Sequence, residues 1–207
     1  MKNLKKLTII LIMALIFTTI YTNSSSSAVS SDSANLTSML NAYKKGNYKT
    51  AKKYAKKVKN TKYDASESKM TGVMTKAYAN VLLNADKEYA QWGVYFADLD
   101  DDKKAEMILP YGTCLADMQG YVYKYKNGKA VYVDKFYCGN YSFINYPGHK
   151  GIIIHYTHMG CETFSTIYLK NGKIKSTDYG SRDAGMDDYV NLKTLSYHMT
   201  SNGNWNL

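Results

Sequence analysis

The chain has 207 residues, a formal charge of +10, 45% apolar residues, two prolines, three cysteines and 28 aromatics, 21 of them tyrosine. That apolar fraction supplies enough burial for a core and excludes a long disordered chain. Three cysteines exclude a disulfide-dense scaffold and a four-thiolate zinc module, and the length fits one domain or one domain with a small appendage.

Lys2, Lys5 and Lys6 precede an apolar run from Leu7 to Tyr21, followed by Asn23, four serines and Ala28. This order is that of a signal peptide over residues 1–28, with Ser26 and Ala28 at the cleavage site. The alternative is an uncleaved anchor, although the run is short of the roughly 20 residues that cross hydrocarbon. The membrane is a partner only through this segment, if it is uncleaved. Removing it takes away three lysines and leaves +7. No cysteine lies near the cleavage region for lipid attachment, and the end Asn202 to Leu207 carries no sorting tail. The expected location is therefore outside the cell, free or bound to the wall.

A serine-rich linker is expected over 29–34 and a basic helical segment over 35–90. Residues 35–90 hold 12 lysines against Asp64, Glu67, Asp86 and Glu88, whereas residues 91–207 hold 12 basic and 12 acidic side chains. Lysine is a point charge without the bidentate fork of arginine, so it attracts polyanions diffusely. For an exported protein these are anionic cell-wall polymers; nucleic acid is not expected. The alternative is a solvated face that keeps the helices soluble.

Leu36, Met39, Leu40 and Tyr43 recur at helical spacing, and Gly46-Asn47 marks the stop. A second helix carries Tyr48, Ala51, Tyr54, Ala55 and Val58 on one stripe, with Lys49, Lys52, Lys53, Lys56, Lys57 and Lys59 around it. A third is expected from about Ser66 to Asn84, with Met70, Val73, Met74, Ala77, Tyr78, Val81 and Leu82 as its apolar side. The stretch AYKKGNYKTAKKYAKKV resembles one tetratricopeptide unit, but a stacked array needs about three.

From Trp92 the hydrophobic period changes to two. Tyr121 to Tyr125 and Ala130 to Val133 flank Asn127-Gly128, the dipeptide of a tight hairpin, which sets Tyr123 opposite Tyr132 and Tyr125 opposite Ala130. Lys-Asn-Gly-Lys returns at 170–173, 44 residues after its first occurrence. Closed propellers need about four blades, so the expected fold class is α+β: N-terminal helices, then an open antiparallel β-meander of about 7–8 strands in a tyrosine-rich domain over 91–207. Other strands fall at 93–97, 105–109, 142–146 and 151–156, and one face of the meander packs on the helices.

Between the first two strands lies Asp98-Leu99-Asp100-Asp101-Asp102-Lys103-Lys104-Ala105-Glu106. The side chains of Asp98, Asp100, Asp102 and Glu106, with the Lys104 carbonyl, can converge on one hard cation such as calcium. An EF-hand is excluded, because Leu109 stands at position 12 and a strand follows. The loop resembles the Asp-x-Asp-x-Asp-Gly-x-x-Glu loops of FG-GAP and integrin-type β repeats, which implies calcium bound between strands; a site of the extracellular kind would be weak, about 0.1 to 1 mM, and would brace the sheet. In those loops glycine usually takes the places of Asp101 and Lys103. The order of lysine-rich helices, acidic loop and YKNGK hairpins also resembles a set of uncharacterised secreted Gram-positive bacterial proteins. The alternative is a solvated acidic turn with Lys103 and Lys104 as counter-ions.

His155, His158, Cys161 and Glu162 are close enough in sequence to be weighed as a metal site, yet His155 and His158 point to opposite sides of a strand. Cys114, Cys138 and Cys161 lack any nucleophile signature. One disulfide is expected, Cys114 with Cys138 or Cys138 with Cys161. Asp183, Asp187 and Asp188 form a second acidic loop without ligand spacing. The expected function is a non-catalytic exported binding module, with exposed tyrosines suited to a saccharide or an extracellular protein; the alternative is a small secreted hydrolase using a metal or cysteine site.

Overall fold

A computed structural model describes residues 31–59, 71–86, 89, 93–185 and 188–192, and the backbone of 200–201 and 204–205. The expected signal peptide, Met70 and Asp187 lie outside the described residues. Helix α1 covers 31–44, so residues 31–34, expected as linker, are already helical. Its stripe of Leu36, Met39, Leu40 and Tyr43 is buried. Gly46, at φ +72°, ends it: the Gly46 N–H donates to the Tyr43 carbonyl and the Asn47 N–H to the Ala42 carbonyl, both at 2.9 Å. The Asn47 side chain then accepts the Thr50 N–H at 3.2 Å and starts α2, Tyr48–Ala55.

Helix α3 spans Gly72–Asn84. The Thr71 hydroxyl caps it by accepting the Met74 N–H at 3.4 Å. It starts later than the expected Ser66, and Val73, expected on the apolar side, is 59% exposed.

The eight main strands form two four-stranded antiparallel meanders. The first holds β1 Tyr95–Ala97, β2 Glu106–Tyr111, β3 Gln119–Lys126 and β4 Lys129–Tyr137; the second holds β5 Tyr141–Asn145, β6 Ile152–His158, β7 Cys161–Lys170 and β8 Lys173–Asp183. Both Lys-Asn-Gly-Lys turns are tight hairpins, with Asn127, Gly128, Asn171 and Gly172 all at positive φ. Tyr123 faces Tyr132 and Tyr125 faces Ala130. A further short pair joins β9 Thr200–Ser201 to β10 Asn204–Trp205.

The class is thus α+β with antiparallel strands, and the meander divides near Cys138-Gly139-Asn140 into two sheets. There is no room for a side chain at Gly139, where a Cβ would meet the Leu115 carbonyl at 1.7 Å. The two sheets pack face to face through Leu99, Ile108, Val122, Phe143, Ile152 and Ile154. Helices α1 and α2 cover the outer face of the second sheet, with Tyr43 against Ile153 and Phe164 in one cluster. Helix α3 covers the outer face of the first, where Tyr78 and Leu82 join Met107 and Leu109. The continuous runs Met107-Ile108-Leu109 and Ile152-Ile153-Ile154 follow from burial on both faces. One buried tyrosine pins each helical layer: Tyr43 OH donates to the Glu162 carbonyl at 2.8 Å, and Tyr78 OH to the Ala105 carbonyl at 2.7 Å.

Candidate functional site

The acidic loop lies at the junction of the two sheets. Its Asp98 carbonyl accepts the Gly151 N–H at 3.2 Å and its Leu99 carbonyl the Leu169 N–H at 2.7 Å, so both ties reach across to the second sheet. Leu99 is fully buried in the core between the sheets.

The loop closes on its own first carboxylate. Asp98 Oδ1 accepts the N–H of Asp101 (2.6 Å) and Asp102 (3.2 Å), and Oδ2 accepts that of Lys103 (2.9 Å). Asp101 and Lys103 take φ of +66° and +65°, the left-handed conformation that glycine adopts at no steric cost. Of the five expected ligands, Asp98, Asp100 and Glu106 bring carboxylate oxygens within 4.8 Å of one another, a group that can hold a metal ion. Asp102 instead accepts the Lys104 N–H at 2.8 Å with one oxygen and faces Lys124 with the other.

Glu106 is fully buried. Its Oε2 accepts the Leu99 N–H at 2.7 Å, whereas among the described residues Oε1 has no hydrogen-bond partner, like Asp100 Oδ1. Burial, only partly offset by the Leu99 N–H and Lys124, pushes the Glu106 carboxyl up to about 8. The cation that does approach is the Lys124 ammonium, hydrogen-bonded to Asp100 and, at 2.9 Å, to Asp102, and 3.5 Å from Glu106 Oε1. Burial works against its charge, but the bonds to Asp100 and Asp102 outweigh it and hold the amine protonated.

Sequence reasoning missed Lys124. The expected counter-ions were Lys103 and Lys104; Lys103 pairs with Asp101 in solvent, where such a pair is worth little. The signal lay in the register of β2 and β3: with Met107 opposite Tyr123, Lys124 comes beside Glu106.

The histidine group is built differently from a metal or nucleophile site. His155 Nε2 meets Glu162 Oε1 at 2.8 Å and stacks on Phe164, while His158 is exposed and pairs across the turn with Cys161. Glu162, fully buried, also accepts Arg182 Nε at 2.7 Å and the Val190 N–H at 2.6 Å. Burial opposes its charge, but the bonds from His155, Val190 and Arg182 prevail and hold the carboxyl below its ordinary range. Asp188 of the second acidic loop pairs with Arg182 and Lys52, which ties α2 to this network. All three cysteines are free. Neither expected pairing is formed: Cys114 is exposed on the loop after β2, Cys138 is buried in the inter-sheet core and Cys161 is half-buried at the start of β7. Burial pushes the Cys138 thiol up to about 12, out of the range of an active nucleophile at neutral pH.

No protein-family model, curated protein or solved structure matches the chain. Among the described residues no helix is long and apolar enough to cross a membrane; the apolar run Leu7 to Tyr21 lies outside them.

Proposed function

We propose that the protein is an exported, non-catalytic binding module of the cell envelope or extracellular space, in which the acidic loop takes a calcium ion that braces the joint between the two sheets. One observation carries the calcium reading: Glu106 Oε1 is buried and, among the described residues, accepts no hydrogen bond, with the Lys124 ammonium 3.5 Å away, beside converging oxygens of Asp98 and Asp100. A buried carboxylate oxygen without a hydrogen bond is costly, and an ammonium at 3.5 Å compensates it only in part. A divalent ion would supply positive charge there, and an all-oxygen carboxylate set suits calcium, whose geometry is permissive, better than magnesium, which demands near-ideal octahedral geometry. The resemblance to FG-GAP loops points the same way.

Export is inferred from the basic, then apolar, then small-residue order of residues 1–28. Lys45, Lys49, Lys53, Lys56 and Lys57 stand exposed on the outer layer formed by α1, α2 and the turn after it, a diffuse positive surface for anionic wall polymers. Tyr132 and Tyr137, 47% and 37% exposed, add rigid amphipathic area suited to a saccharide or an extracellular protein. Equilibrium dialysis against calcium should give one weak site, about 0.1–1 mM, that Glu106→Gln removes. Purified walls should retain the protein at low salt and release it as salt rises. No retention at low salt removes the envelope assignment.

A further inference from the structure

The acidic loop forms one wall of a groove of about 910 Å³ that runs between the two Lys-Asn-Gly-Lys hairpin tips. Lys104, Lys126, Lys150 and Lys170 line it and are exposed. Lys124, Asp100 and Asp102 complete its charged lining, so five lysines against two aspartates give +3. The Lys124 ammonium belongs to this groove and to the carboxylate cluster at once. At present it is spent on the cluster, through its contacts with Asp100, Asp102 and Glu106.

Lys124 does not complete that cluster. Glu106 Oε1 stays without a hydrogen bond, with the ammonium 3.5 Å away, and Asp100 Oδ1 has none. An ammonium and a divalent ion cannot share the same few oxygens without strong repulsion. Lys124 carries its charge on a flexible four-carbon stem and is 27% exposed, so it has an outlet toward the groove.

We propose that Lys124 is the resident counter-ion of the acidic loop, that a divalent cation displaces its ammonium into the groove, and that the groove then binds a phosphodiester oligoanion. This inference rests on the calcium reading above. With the ion bound, the lining passes from +3 to +5, counting two charges from the ion. The lysines are spread over both hairpin tips and one flank, so they favour an extended, repeating anion over a single small one. As point charges they demand no planar partner, and phosphodiester oxygens are hard ligands of the kind calcium accepts. Linkage makes the effect reciprocal: the oligoanion tightens calcium binding by the same factor as calcium tightens its own.

The test uses the full chain at low ionic strength, with calcium and then a short poly(glycerol phosphate) oligomer as calorimetric titrants. The oligomer is titrated at fixed free calcium and again with chelator. The unsubstituted protein should bind the oligomer about tenfold more tightly with calcium. Lys124→Met, which removes the competing ammonium, should bind calcium about tenfold more tightly and show a smaller enhancement, the share that the released ammonium would add to the groove. Lys126→Met with Lys170→Met, which leaves the carboxylate cluster intact, should keep the calcium affinity and weaken oligomer binding. Equal oligomer affinity with and without calcium overturns the inference, as does unchanged calcium affinity in Lys124→Met. Absence of calcium binding in both proteins defeats the calcium reading itself, and this inference with it.

Discussion

Glu106 is fully buried, with one carboxyl oxygen on the Leu99 N–H. Its carboxyl is raised to about 8 by burial in the metal-free protein, against an unfolded value in the ordinary carboxyl range. Between about pH 5 and 8 the folded state therefore holds a proton that the unfolded state has lost. In chelator, stability should fall as pH rises through this window, by up to about 1.4 kcal/mol per pH unit, and level off above it. Urea unfolding from pH 5 to 9 reads the slope, and Glu106→Gln should flatten it; an identical slope in that variant removes the assignment. The sequence exposed the carboxylates, because Asp98, Asp100 and Glu106 recur within nine residues. It did not expose Lys124, which reaches them only through strand register. Nor did it separate Asp102 from the converging oxygens, since that depends on which backbone N–H each carboxylate caps.

Among the elements, the hairpins and α1 were the most legible, because Asn-Gly and Gly-Asn have few backbone solutions. The same logic ranks the glycines. At Gly172, φ is +67° with open space around it, so Gly172→Ala should cost only the left-handed strain of about 1–2 kcal/mol. At Gly151, φ is +83° and a Cβ would lie 1.9 Å from the Ile167 carbonyl, so Gly151→Ala should cost clearly more and loosen the tie to Asp98. Thermal unfolding of the two variants side by side makes the comparison; equal losses would contradict it. Of the network centred on Glu162, sequence proximity shows only His155, because the other members, Arg182 and Val190, come from distant parts of the chain. Glu162→Ala would leave Arg182, whose side chain is 7% exposed, without its buried partner. Breaking a buried pair in this way should cost about 3–5 kcal/mol in urea unfolding; a loss under about 1 kcal/mol would place the pair with exposed ones.

On the scale of the whole molecule, class and strand content were legible in the change of period at Trp92, but the division into two sheets was not. Runs such as Ile152-Ile153-Ile154 say that both faces are covered without saying by what. The structure answers with α1 and α2 on one outer face, α3 on the other and a shared apolar core between the sheets. The expected helical segment 35–90 is therefore divided between the two outer layers. The acidic loop is the place where carboxylate chemistry meets that inter-sheet joint, so an ion held there would act on the stability of the fold. Thermal unfolding at neutral pH, with 10 mM calcium and with chelator, measures this most directly. A site of 0.1–1 mM affinity should add about 1.4–2.7 kcal/mol, a rise in Tm of roughly 3–10 °C, which Glu106→Gln abolishes. A melting temperature that calcium leaves unmoved, or one that rises equally in Glu106→Gln, would contradict the account.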